Sequence, residues 1–174
     1  KKFKTINPAT GETIIDVFEA DKADVDISVD AAEKAYAVNG EWRTMSTSTR
    51  GNLLFKLADL IRKHREPLAR LEALDNGKAY SIAKAVDLSL VIDCFEYYAG
   101  WATKISGKTL NTKPNVFGFT RHEPVGICGC IIPWNFPLLM MTWKLAPLLA
   151  CGNVVVLKTA EQTPLSALYF CKLI

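Results

Sequence analysis

The sequence predicts an α/β fold: a parallel sheet flanked by helices, with a β-hairpin ahead of it. Three observations predict this. Apolar residues recur at helical spacing through much of the first half of the chain. The stretch from Lys108 to Glu123 is instead rich in Asn, Pro and β-favouring residues. Finally, two apolar runs, Val125 to Ile132 and Asn153 to Lys158, flank a segment of helical length.

The elements follow in order. Ile6 to Glu12 reads as a turn, because Asn7, Pro8 and Gly11 fall together. Thr13 to Phe18 then reads as a strand. Asp21 can cap a helix from Lys22 to Val38, with Val25, Val29, Ala32 and Tyr36 on one face. A second helix, Thr49 to Lys63, carries Leu53, Leu54, Leu57, Leu60 and Ile61 as its apolar stripe. Pro67 can open a third, and Asn76-Gly77 would stop it. A long helix from Ser81 to Trp101 follows.

In the last third, the run from Val125 to Ile132 predicts a strand covered on both faces. Pro133-Trp134-Asn135-Phe136-Pro137 must be irregular. Pro137 can start a helix through Ala150, and Gly152 can help end it. Asn153 to Lys158 forms a second buried strand. Thr163-Pro164 then fits an N-cap followed by a first-turn proline.

That order has a geometric consequence. A helix of about thirteen residues and a strand of about six each span roughly 20 Å. The helix therefore returns the chain to the edge where the first strand began, and the second strand runs parallel to it. The loops after Ile132 and Lys158 then emerge together at the carboxyl edge, where open α/β sheets bind ligands. Trp134 and Asn135 lie in the first loop, Lys158 and Glu161 in the second. A lysine and a carboxylate suit a ribose or a phosphate. Taken singly, each has a plainer reading: Trp134 as packing, Lys158 as a solvated strand end, Glu161 as a helix-favouring carboxylate.

Composition narrows the function classes. Net charge is +3, from 21 basic and 18 acidic residues, too slight to argue for nucleic acid. No apolar run reaches the roughly 18 residues of a membrane helix. The chain opens on Lys1, and its first residues are not expected to be a leader, although one removed earlier would fit a mitochondrial origin. The five cysteines, Cys94, Cys128, Cys130, Cys151 and Cys171, are an odd number in apolar surroundings, which predicts reduced thiols inside the cell. The cytoplasm is expected, with the mitochondrial matrix as the alternative.

Several motifs fail. The glycine fingerprint of dinucleotide sites is absent. Gly107-Lys108-Thr109 resembles the end of a P-loop, but Ala102 stands where that motif needs glycine. Cys128 and Cys130 alternate within a strand with no partner cluster, so no metal is expected. His64, among Arg62, Lys63 and Arg65, reads as part of a solvated face, and His122 as a surface or interface residue. No cysteine has an activating neighbour.

At Ile132-Pro133-Trp134-Asn135-Phe136-Pro137 the chain resembles the aldehyde dehydrogenase superfamily, in particular its large tetrameric class. Supporting stretches run in family order: Asn7 to Glu12, Leu57 to Ile61, Leu74 to Lys78, Tyr97 to Trp101, Thr120 to Gly126, Gly152 to Lys158 and Ala160 to Pro164. The resemblance implies an incomplete Rossmann-like parallel sheet, with residues 1–105 its helical part, 106–124 an oligomerisation arm and 125–174 the first βαβα portion. Bottom-up, that arm is equally a surface hairpin. The resemblance also implies oxidation of an aldehyde to an acid with NAD, or alternatively NADP, through a cysteine hemithioacetal, in a homotetramer. Ile132, Pro133, Trp134 and Asn135 would line the cofactor cleft, and Lys158, Thr159, Ala160 and Glu161 would hold the adenosine ribose. Asn135 would also stabilise the oxyanion.

The cysteine nucleophile and glutamate base are expected beyond Ile174, leaving this chain inactive alone. Cys130 stands where relatives often carry glutamine, and Thr159 where many carry proline. The competing expectation is a non-catalytic binding or structural module.

Overall fold

In the computed structural model, which describes residues 1–174, a β-hairpin opens the chain. Strand β1 (Lys2–Ile6) pairs antiparallel with β2 (Thr13–Phe18). The turn between them forms as expected, with the Asn7 side chain accepting from Ala9 N–H at 2.9 Å. β1 itself was not expected, although Phe3 and Thr5 alternate with lysines.

Helix α1 (Lys22–Ala35) starts at the expected cap. Asp21 accepts from Ala23 N–H at 2.9 Å, and Asp24 accepts from Asp21 N–H at 2.9 Å. It ends three residues before the expected Val38. A short α2 (Glu41–Thr44), absent from the expectation, leads into α3 (Thr47–Lys63). Ser46 caps α3 by accepting from Thr49 N–H at 3.1 Å, two residues earlier than expected. Helix α4 (Arg65–Asn76) begins before Pro67. A first helical turn has no partners for its N–H groups, so proline is tolerated at its third position as well as its first. Gly77 ends α4 in the left-handed conformation at φ 81°, as Asn76-Gly77 predicted.

The expected helix Ser81 to Trp101 is interrupted. A helical turn α5 (Tyr80–Ile82) passes into a π turn at Ala83–Asp87 and then α6 (Leu88–Trp101). The π turn inserts one residue into the helical repeat. It brings Asp87 inward together with Ala83 and Leu88, all three fully buried.

Strands β3 (Thr109–Leu110) and β4 (Gly118–Phe119) form the expected hairpin, with Phe117 and Phe119 exposed. Strand β5 (Ile127–Ile131) then pairs in parallel with β6 (Val154–Lys158), joined through α7 (Pro137–Ala150), and α8 (Leu165–Phe170) follows. The parallel arrangement matches the expectation. Coverage on both faces does not: Cys130 is buried, but Ile131 is 73% exposed. The sheet has two strands, and the helices against them leave that side open.

The core lies between α3, α4, α6 and α7. Leu57, Ile61, Leu68, Val91, Phe95, Leu138, Met141 and Leu145 interlock there, and Phe170 of α8 stacks on Phe95 with centroids 5.9 Å apart. Gly51 allows α3 to reach α6: a side-chain carbon there would stand 2.7 Å from the Ala99 carbonyl oxygen. Trp42 Nε1 donates to the Gly152 and Asn153 carbonyls, each at 3.1 Å, tying the N-terminal helices to the α7–β6 corner.

His64 contradicts its expected place on a solvated face. It forms the α3–α4 corner, half-buried, with Nδ1 2.9 Å from the Tyr169 hydroxyl. The charged neighbours that suggested exposure belong to helix turns pointing elsewhere. No helix is long and apolar enough to cross a membrane.

At the start of α4, Glu66 accepts from Lys84 and from the Tyr80 hydroxyl, both at 2.6 Å, which holds α4 to the π turn. The Lys84 hydrogen bond, then the Tyr80 one, pull its carboxyl from 4.5 down to about 2. A folded value below the unfolded one stabilises above pH 4.5, and that stability is lost as pH falls through 2. Glu66→Gln is therefore expected to lower the thermal midpoint slightly at pH 7. The difference should shrink on acidification, and with added salt, because the cluster is solvent-exposed. Melting curves at several pH values check it.

Candidate functional site

The carboxyl ends of β5 and β6 meet as the strand order requires. Ile131 is in register with Lys158, and Ile132 N–H donates to the Lys158 carbonyl at 2.9 Å. The two following loops touch: Thr163 Oγ1 donates to the Trp134 carbonyl at 3.4 Å. A cavity of about 580 Å³ has Trp134, Asp75 and Asn76 on one side and Glu161, Gln162 and Thr163 on another, with β1 closing it.

The expected site residues take different places on this edge. Ile132 is buried in the core, so only its backbone serves the edge. Pro133 is half-buried, while Trp134, 58% exposed, and Asn135 face outward. The chain's contacts with Asn135 are to its carbonyl; its side-chain amide has no hydrogen-bond partner within the chain. Lys158 and Glu161 form an ion pair, and Lys158 Nζ also donates to the Thr159 carbonyl at 2.9 Å. That pair, above all its hydrogen bond, holds the Glu161 carboxyl below its ordinary value. Thr159 is half-buried and Ala160 buried behind them. Trp134 and Glu161 share the cavity; Pro133, Asn135, Lys158, Thr159 and Ala160 lie outside its wall.

Beneath both loops lies a platform that the sequence reading missed. The end of α4 caps two other helices. Glu72 accepts from Leu138 N–H at 3.3 Å in the first turn of α7. Asp75 accepts from Leu165 N–H at 2.7 Å at the start of α8. The latter corrects the expected Thr163 cap: its hydroxyl serves Trp134 instead, and Pro164 occupies the cap position. A carboxylate also suits the positive end of each helix. Burial is the main cause that pushes the Glu72 carboxyl up, and it takes Asp75 to about 6.

Past Asp75, Asn76 Nδ2 donates to the Trp134 carbonyl at 2.8 Å and to the Asn135 carbonyl at 3.4 Å. Lys78 Nζ donates to the Asn135 carbonyl at 3.3 Å. A signal for this platform was present. Glu72 and Asp75 continue the stripe of Leu68 and Ala69 at helical spacing, which puts two carboxylates on an apolar face.

Three of the thiols are shifted away from the thiolate form. Burial pushes those of Cys94, Cys130 and Cys171 up, with no opposing cation at Cys94 or Cys171. The five cysteines are unpaired.

Comparison with known proteins shows the family and the fold. The aldehyde dehydrogenase family model matches residues 1–174. The human mitochondrial aldehyde dehydrogenase is 59% identical over 174 residues, covering all of this chain and 34% of that protein. Human retinal dehydrogenase 2 is 58% identical over 172 residues, 99% of this chain and 33% of that one. The structure of an NAD+ complex of aldehyde dehydrogenase from Bacillus cereus superimposes with a TM-score of 0.97 at 53% identity, covering 99% of this chain and 35% of the other. The chain thus spans about a third of the length of the relatives it matches.

Proposed function

This chain belongs to the aldehyde dehydrogenase family, and from that premise we propose that the complete protein oxidises an aldehyde to a carboxylic acid with NAD. The observation that carries the reading is the meeting of the two loops on one sheet edge, where Thr163 bonds the Trp134 carbonyl.

The residues at that edge suit a dinucleotide. Lys158 and Glu161 together offer donors and acceptors to ribose hydroxyls, and Thr159 and Ala160 shape the backbone beside them. Their mutual ion pair is exposed, so exchanging it for ligand contacts costs little. Ile132, Pro133, Trp134 and Asn135 form the facing wall. NAD, when bound, supplies the hydride acceptor. Glu161 is ionised at neutral pH and disfavours a second negative group, so NAD is preferred to NADP.

Asn135 donates its unengaged amide to the aldehyde oxygen as a thiolate adds to the carbon. The thiolate and the water-activating base lie outside these residues. The division at 1–105, 106–124 and 125–174 belongs to this reading. The β3–β4 hairpin, with Phe117 and Phe119 bare, pairs with another subunit of a homotetramer. The setting is the cytoplasm or the mitochondrial matrix.

The test is a titration of the complete protein with NAD. Lys158→Ala is expected to weaken binding by roughly 10- to 100-fold, as for a hydrogen bond to a charged group. Unchanged affinity would remove the ribose assignment.

A further inference from the structure

The Asn135 backbone is held from outside its own loop, by the segment that ends α4. Two side chains converge on it. Asn76 Nδ2 reaches the carbonyls of Trp134 and Asn135 at 2.8 and 3.4 Å. Lys78 Nζ reaches the Asn135 carbonyl at 3.3 Å. The same ammonium lies 2.5 Å from Asp87 Oδ2, 3.8 Å from Glu72 Oε1 and 4.2 Å from the centre of the Phe136 ring. Every group around Lys78 therefore either belongs to the loop or is a buried carboxylate.

Burial makes this arrangement informative. The Asp87 and Glu72 side chains are fully buried, and that of Lys78 is 13% exposed. Taking charged groups out of water is costly, and an apolar trio of the same shape is often as stable. Stability alone therefore does not explain the cluster. What an apolar trio lacks is a donor for the Asn135 carbonyl. The π turn has a part here too, since it turns Asp87 inward to meet the ammonium.

We propose that Lys78, anchored by Asp87, is a positioning residue: it fixes the Asn135 backbone so that the side-chain amide points at the reacting carbonyl. Asn76 shares this role by holding the preceding carbonyl. Neither residue touches substrate. The proposal rests on the assignment of Asn135 as the oxyanion donor.

The test is a double-mutant cycle in the complete dehydrogenase, with kcat, KM and NAD affinity read for Lys78→Met, Asn135→Ala and the pair. Small displacements of a positioned group cost up to about 100-fold. Lys78→Met is thus expected to lower kcat by about 10- to 100-fold with NAD affinity little changed. In the Asn135→Ala background the same change should cost less than about 3-fold, because coupled residues are not additive. Lys78→Arg, which keeps a donor, should recover part of the loss.

A full additive loss in the Asn135→Ala background would overturn the positioning role and leave the oxyanion assignment standing. So would an unchanged kcat in Lys78→Met. An Asn135→Ala enzyme of normal kcat would instead overturn that assignment and this inference with it. If Lys78→Met fails to fold because Asp87 is left unpaired, Asn76→Ala runs through the same cycle, with the same results for and against.

Discussion

Asn135→Ala is expected to slow turnover of the complete dehydrogenase by about 10²–10³, the usual cost of losing one oxyanion donor. The loss should fall on kcat, with NAD affinity close to unchanged. The reason is the division of labour on the edge. Asn135 is exposed, its amide is unengaged within the chain, and its backbone rather than its side chain is held by Asn76 and Lys78. Truncating the amide therefore removes a donor without loosening the loop. A side chain that was mainly structural would instead lower the thermal midpoint, so melting curves of the variant belong beside the kinetics. Equal melting with a large kcat loss is the expected pair of results.

The second large effect concerns stability. Phe95→Ala is expected to cost about 3–5 kcal/mol, the range for large-to-small changes in a packed core. Phe95 is fully buried in α6, and its ring stacks on Phe170 at 17° between planes. Truncation leaves a cavity between α6 and α8 that the surrounding helices fill only in part. A loss of that size is a large share of the usual 5–15 kcal/mol of a folded domain. It also reaches the site. Helix α8 follows the loop that carries Glu161, and its first turn is tied to Asp75. Loosening α8 should thus weaken dinucleotide binding as well. Urea unfolding checks the stability, and a loss below about 1 kcal/mol would contradict the packing described for Phe95.

The parts of the fold legible in the sequence were those with local causes. Asp21 announced α1 through its cap, Asn76-Gly77 announced the end of α4, and the apolar run Val154 to Leu157 announced β6. The convergence of the two loops followed from element lengths alone. What stayed hidden depended on contacts between distant segments. His64 reads as solvated until Tyr169 is seen beside it, 105 residues away. The Thr163 cap fails because Leu165 N–H is already held by Asp75, 90 residues before it. The π turn at Ala83–Asp87 has no local breaker such as proline or glycine, so nothing in the letters separated it from ordinary helix.

The site was legible to a similar degree. Strand order puts Trp134, Asn135, Lys158 and Glu161 at the carboxyl edge of the sheet, and they lie there. Their supports at the end of α4 and just past it stayed hidden, because Glu72, Asp75 and Lys78 act across the fold rather than along it.

The loops after β5 and β6 are expected to face one dinucleotide. A crystal structure of the complete protein with NAD bound measures this directly. The adenosine ribose is expected against Lys158 and Glu161, with the nicotinamide end on the side of Asn135. A dinucleotide bound elsewhere on the molecule, with Lys158 and Glu161 still paired to each other, would contradict it.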